Sequence, residues 1–175
     1  MSHSPPETGY PFIIEKFTMA IDLIQDRIRM NVFNSQDGVK AIWLTRRLLD
    51  RLLPLIIKQI EDKVGTTIAA QFDLSASQQK LRIEREVAGP KPVVPVAEDE
   101  PWLATQMRFL PHHDGYVWVL LEDMGHEARF FLTDESLRSA LDILYITYMK
   151  MEWNCDAFPD WVVEISRGRQ TTLFH

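Results

Sequence analysis

The chain states one pattern twice, and that duplication constrains its fold more than any other feature. The first copy is Arg27 to Ile57, RIRMNVFNSQDGVKAIWLTRRLLDRLLPLII. The second is Tyr116 to Tyr145, YVWVLLEDMGHEARFFLTDESLRSALDILY. Each reads strand, tight turn, strand, Leu-Thr, then helix. Leu44-Thr45 aligns with Leu132-Thr133, and Ile42-Trp43 with Phe130-Phe131. Ile28, Met30 and Val32 align with Val117, Val119 and Leu121, and Leu49, Leu53 and Ile56 with Leu137, Leu141 and Leu144. Upstream, Phe17, Met19, Ile21 and Leu23 align with Leu103, Thr105, Met107 and Phe109. Two copies are too few for a solenoid. They predict an α+β protein of two βββα repeats with pseudo-two-fold symmetry, each antiparallel sheet packed by its own helix.

The elements follow from periodicity and punctuation. Alternating apolar residues predict strands at Phe17–Ile24, Arg27–Phe33 and Val39–Leu44, with a hairpin loop over Asn34–Gly38. Thr45 stands where a helix N-cap belongs. Leu48, Leu49, Leu52, Leu53, Ile56, Ile57 and Ile60 then form a helical stripe. Pro54 lies inside it and is expected to kink the helix or split it. In the second half, strands are expected at Trp102–Leu110, Tyr116–Glu122 and Glu127–Leu132, followed by a helix capped by Thr133. A short amphipathic helix fits Ser75–Val87. The GPKPVVPV run and the following AEDE read as an extended linker.

Domain organisation follows: a flexible arm at 1–14, a first unit at 15–65, a middle segment and proline-rich linker at 66–101, a second unit at 102–153 and a tail at 154–175. The end of that tail, Arg167–His175, is expected to be loose. With 175 residues and 46% hydrophobic content, the chain can bury a core without staples. Cys155 is the single cysteine, so no internal disulfide forms, and a reducing cytoplasm is the expected location. No basic-then-apolar leader and no membrane-length apolar run are visible.

The net charge of −6 argues against nucleic-acid and acidic-membrane partners for the chain as a whole. Its distribution is uneven. From Asp26 to Lys58 there are seven basic and three acidic residues, a net of +4. From Glu98 to Asp160 there are four basic and thirteen acidic residues, a net of −9. Drift on solvated surfaces gives such a pattern; so do halves that face different partners, or each other across subunits.

Two features point to binding. Arg46 and Arg47 begin the first helix, with Arg51 a turn later. Cations at a helix N-terminus oppose the macrodipole, whereas the second copy has Asp134 and Glu135 there. The arginines therefore suit an anion, a phosphate or an acidic protein surface, or else lie along apolar neighbours or pair with surface carboxylates. The second face of the sheets carries Ile24, Phe33, Val39, Ala41 and Trp43 in one copy. In the other it carries Trp102, Leu110, Tyr116, Trp118, Leu120 and Phe131. An apolar second face needs a cover, either internal or intermolecular.

These features lead first to a non-enzymatic protein–protein interaction or assembly protein, an adaptor and homo-oligomer such as a homodimer. Arg46, Arg47 and Arg51 would steer an acidic protein partner, and Trp43, Trp118 and Phe131 would supply the buried face. The alternative is a single-stranded nucleic-acid binder using Arg27, Arg29, Trp43 and Phe33, disfavoured by the acidic second half. A third reading is a small-ligand protein or an unrecognised enzyme. His112, His113, Asp114, His126 and Glu127 read as solvated turn residues rather than a metal cluster, and Cys155 lacks a paired histidine. No catalytic residue, metal or cofactor is expected, since no phosphate loop, GxSxG, HExxH or CxxC occurs.

Overall fold

The computed structural model describes residues 10–89, 91–95 and 100–163. The fold is α+β, with two four-stranded, mostly antiparallel sheets and three long helices. The strands are β1 (Phe12–Ile13), β2 (Lys16–Asp22), β3 (Arg27–Asn34), β4 (Gly38–Thr45), β5 (Trp102–Leu103), β6 (Gln106–His112), β7 (Gly115–Leu121) and β8 (Glu127–Leu132). The helices are α1 (Arg46–Val64), α2 (Ile68–Ala88) and α3 (Asp134–Lys150). By packing, the described residues divide into two compact units. One, Met1–Leu48 with Pro92–Phe131, holds the strands up to Phe131 and the first residues of α1; the other, Leu49–Lys91 with Leu132–His175, holds the rest of the helices. That division cuts each copy of the duplicated pattern at the start of its helix.

In the strand unit the sheet orders are β1-β8-β7-β6 and β2-β3-β4-β5. The short strands β1 and β5 each join, in parallel, the sheet formed by the other half of the chain. The chain changes sheets within one residue each time. Ile14 N–H donates to Arg129 O at 2.7 Å, and Glu15 N–H to Phe33 O at 2.9 Å. Likewise Ala104 N–H donates to Trp43 O at 3.0 Å, and Thr105 N–H to Leu121 O at 2.9 Å. The Ser35 hydroxyl and backbone N–H hold the Glu15 carboxyl below its ordinary pKa, tying the first crossover to the β3–β4 turn.

These crossovers correct two expectations. Of the arm expected over 1–14, the described residues 10–14 do not all belong to one, because Phe12 and Ile14 are buried and β1 is a strand. Residues 102–110 are not one strand but parts of two. A two-residue strand is too short to show a period, and its partner is distant in sequence. The Pro-rich segment does run without regular structure over 91–95, yet Val93 is buried, and its N–H donates to Thr18 Oγ1 on edge strand β2 at 2.8 Å. Residues 96–99 lie outside the described ones, as does Arg167–His175, where a loose tail is expected.

The apolar faces of the two sheets approach each other. Ile28, Met30, Val32, Ile42 and Leu44 have no exposed surface, and neither have Trp118 and Leu120. Phe17 and Phe130 meet at 5.6 Å between ring centroids, and Trp118 and Phe130 at 4.7 Å. Here the expected facing of β7 is off by one residue. Tyr116, Trp118 and Leu120, not Val117, Val119 and Leu121, share the side of Phe130. The physical reason is that β7 is buried on both sides, Val119 being only 5% exposed, so its sequence does not alternate.

In the helix unit, α1 buries Leu49, Leu52, Leu53, Ile56, Ile57 and Ile60. Of the kink or split expected at Pro54, the split does not occur: α1 is a single helix across it. The proline removes one backbone donor, and the ladder resumes on either side. Thr45 does cap α1, its hydroxyl accepting from Leu48 N–H at 3.3 Å. Thr133 caps α3, accepting from Ser136 N–H at 3.1 Å. Thr133→Ala is expected to cost about 1 kcal/mol, read as a lower urea midpoint at unchanged slope.

Helix α2 is longer than the predicted 75–87. Thr67 caps it, accepting from Ala70 N–H at 3.2 Å, and it buries Leu74, Gln78, Leu81 and Arg82. The polar members of that stripe bond to α3. Gln78 Nε2 donates to Arg138 O at 2.9 Å, and the Arg82 and Arg85 guanidinium groups pair with the Asp142 carboxylate. Tyr148 Oη donates to Asp50 Oδ1 at 2.9 Å, joining α3 to α1, and Trp161 Nε1 donates to Glu61 Oε1 at 3.2 Å.

Candidate functional site

Strand β3 sends Arg27, Arg29 and Asn31 to one side of its sheet, at every second position. Across the antiparallel ladder these residues face Thr45, Trp43 and Ala41 of β4 in turn. The Arg27 guanidinium lies over the Trp43 ring, 3.8 Å from its centroid. Stacking of this kind gives a guanidinium attractive contact while leaving its hydrogen-bonding edge to other partners. Arg27 Nε, Arg29 Nε and Asn31 Oδ1 are buried atoms with no hydrogen-bond partner among the described residues. Among the described residues, no carboxylate pairs with Arg27 or Arg29. Asn31 is 4% exposed, whereas both arginines are half-buried. Two cations thus stand on one strand face without a counter-charge, beside an indole.

The structure brings together Arg27, Arg29 and Trp43 from the sequence-predicted set. Arg46 and Arg47 follow directly on Thr45, the residue opposite Arg27, and both are exposed. Arg51 is exposed further along α1. Trp118 and Phe131 do not join this group. Trp118 is wholly buried against Phe130 and has no surface to offer a partner. Phe131 is 58% exposed on the opposite side of the other sheet, where the His112 ring meets it edge-on at 5.8 Å. Phe33 and Val39 are half-buried, Ala41 is buried, and Ile24 is almost fully exposed in a turn. Asn31 escaped the sequence reading, and no sequence signal marks it, because a polar residue at an outward strand position looks solvated.

Other candidate chemistry is sparse. His112, His113 and Asp114 hold ligand atoms within 4.8 Å of one another, all on an exposed turn. His126 is elsewhere, stacked on Trp102 at 5.7 Å and bonded to Glu122. Burial, and secondarily the neighbouring Asp156 charge, push the Cys155 thiol above its ordinary pKa, the opposite of what activates a nucleophile. Among the described residues, no helix is long and apolar enough to cross a membrane. No protein-family model, curated protein or solved structure matches this chain.

Proposed function

We propose that this chain is a non-enzymatic interaction protein whose β3–β4 face receives an acidic segment of a protein partner. The observation that carries the reading is the pair of uncompensated guanidinium groups, Arg27 and Arg29, held beside Trp43. Burying cations without counter-charges is unfavourable, and a carboxylate from outside the chain relieves it with charge-assisted hydrogen bonds. Arg46 and Arg47, which follow directly on Thr45, extend the positive field and steer the approach. Leu103, aligned with Trp43 in the parallel β4–β5 pair and 37% exposed, adds an apolar edge.

The duplicated pattern belongs to this proposal. Two βββα repeats, each lending a short strand to the other's sheet, account for the matched crossovers at Ile14 and Ala104. In that reading only the first repeat carries the arginine face, so the second is available for assembly with another copy of the chain.

Nucleic acid is the competing occupant. Arg27 already covers the Trp43 ring, which removes the platform on which a base would stack. The test is fluorescence anisotropy with a labelled glutamate-rich peptide and a labelled oligo-dT at low and high salt. The peptide is expected to bind, and Arg27→Gln with Arg29→Gln to weaken it by about tenfold or more while flattening the salt dependence. Equal peptide binding by the double variant, or tighter binding of oligo-dT than of peptide, overturns the reading.

A further inference from the structure

The helix unit contains a cavity of about 460 Å³ that the interaction reading does not use. All three helices line it. Ile60, Lys63 and Val64 come from α1, Asp73, Leu74 and Ser77 from α2, and Asp134 and Arg138 from α3. Its volume falls within the ordinary range for small-molecule sites, near the small end. Ile60 and Leu74 are 5% and 2% exposed and form an apolar floor.

The charged lining residues differ in how they are satisfied. Lys63 and Asp134 pair with each other. Arg138 donates to the Ser77 hydroxyl, a neutral partner, and no carboxylate among the described residues pairs with it. Asp73 is exposed, and no cation among the described residues pairs with it. The cavity therefore offers one uncompensated cation and one uncompensated anion around an apolar floor, with no net charge. A ligand that is only anionic meets Asp73, and one that is only cationic meets Arg138. A ligand carrying both charges satisfies both.

We infer that this cavity binds a small zwitterion with an apolar body, of the hydrophobic amino-acid class. The carboxylate accepts from the Arg138 guanidinium, the ammonium pairs with Asp73, and the apolar body lies on Ile60, Val64 and Leu74. Half-burial of Arg138 makes its contribution the larger, because a partly desolvated charge is screened less.

Isothermal titration of the full chain with L-phenylalanine and L-leucine tests this, with 3-phenylpropionate and phenethylamine as single-charge controls. One amino acid is expected to bind saturably, and its single-charge controls about tenfold more weakly or not at all. Arg138→Gln is expected to weaken binding by about tenfold, and Asp73→Asn, at an exposed position, by less. Ser77→Trp fills the cavity, removes no charged group and is expected to abolish binding. A thermal melt of each variant establishes that it is folded. No saturable heat with either amino acid overturns the assignment. So does binding that survives Ser77→Trp, or a 3-phenylpropionate affinity equal to that of L-phenylalanine.

Discussion

Replacing Asp142 with alanine will destabilise the protein by about 3–5 kcal/mol, because it removes the carboxylate from a buried, doubly paired ion group. The Arg82 and Asp142 side chains are 5% and 1% exposed, and Arg85 completes the triad at 30%. With the carboxylate gone, the Arg82 cation stays in a site that water reaches poorly. For a chain of this size the melting temperature is expected to fall by about 2–4 °C per kcal/mol. The control is the double variant Arg82→Met with Asp142→Leu, which replaces the central pair with apolar groups of similar volume. It is expected to recover most of the loss, since paired charges of this kind contribute little beyond a well-packed isostere. A single-variant loss under about 1 kcal/mol would show that the site is wet and relaxes easily. Arg85→Ala, nearer the solvent, is expected to cost far less than Asp142→Ala.

Trp118→Ala is the second large effect, at about 3–5 kcal/mol, while Phe131→Ala will be close to neutral. Both residues carry a large ring on a neighbouring strand of one sheet. Trp118 has no exposed surface and packs against Phe130, whereas Phe131 is 58% exposed. Truncating the first leaves a cavity among rings that cannot all collapse into it; truncating the second uncovers little. Trp118→Phe will keep most of the stability. The indole Nε1 is buried with no hydrogen-bond partner, and phenylalanine removes that unsatisfied donor along with part of the volume. Urea titrations of the three variants at constant slope check the ranking. If Phe131→Ala proved as costly as Trp118→Ala, the β8 outer face would be covered in solution by another chain, and the loss would then depend on protein concentration.

Much of the secondary structure was legible in the sequence because periodicity and caps are local. The β2–β3–β4 meander, the two threonine caps and the helix after each Leu-Thr needed nothing beyond neighbouring residues. The misreadings share one cause, which is dependence on distant partners. Strand β1 exists because Phe12 and Ile13 find Ala128 and Arg129, more than a hundred residues away. Gln78 and Arg82 of helix α2 are core positions because Arg138 and Asp142 of α3 satisfy them. No hydrophobic period registers a glutamine and an arginine as core. The facing of β7 was misassigned because a strand buried on both sides carries no alternation.

The candidate site divides the same way. Arg27, Arg29 and Trp43 were visible as a basic and aromatic group, and their common face followed from strand period alone. That Arg27 stacks on Trp43, that neither arginine pairs with a carboxylate among the described residues, and that Asn31 is buried beside them are facts of register and packing. Trp118 went the other way: its face called for a cover, internal or intermolecular, and the tertiary structure made it core. The sequence by itself determined the α+β class, the positions of most elements and the basic character of the first half, because propensity, period and charge are properties of short segments. Only the tertiary structure decided the exchanged short strands, the buried arginine–aspartate triad, the three-helix cavity and the charges without counter-charges among the described residues. Each of those depends on which distant atoms meet, and no local pattern encodes that.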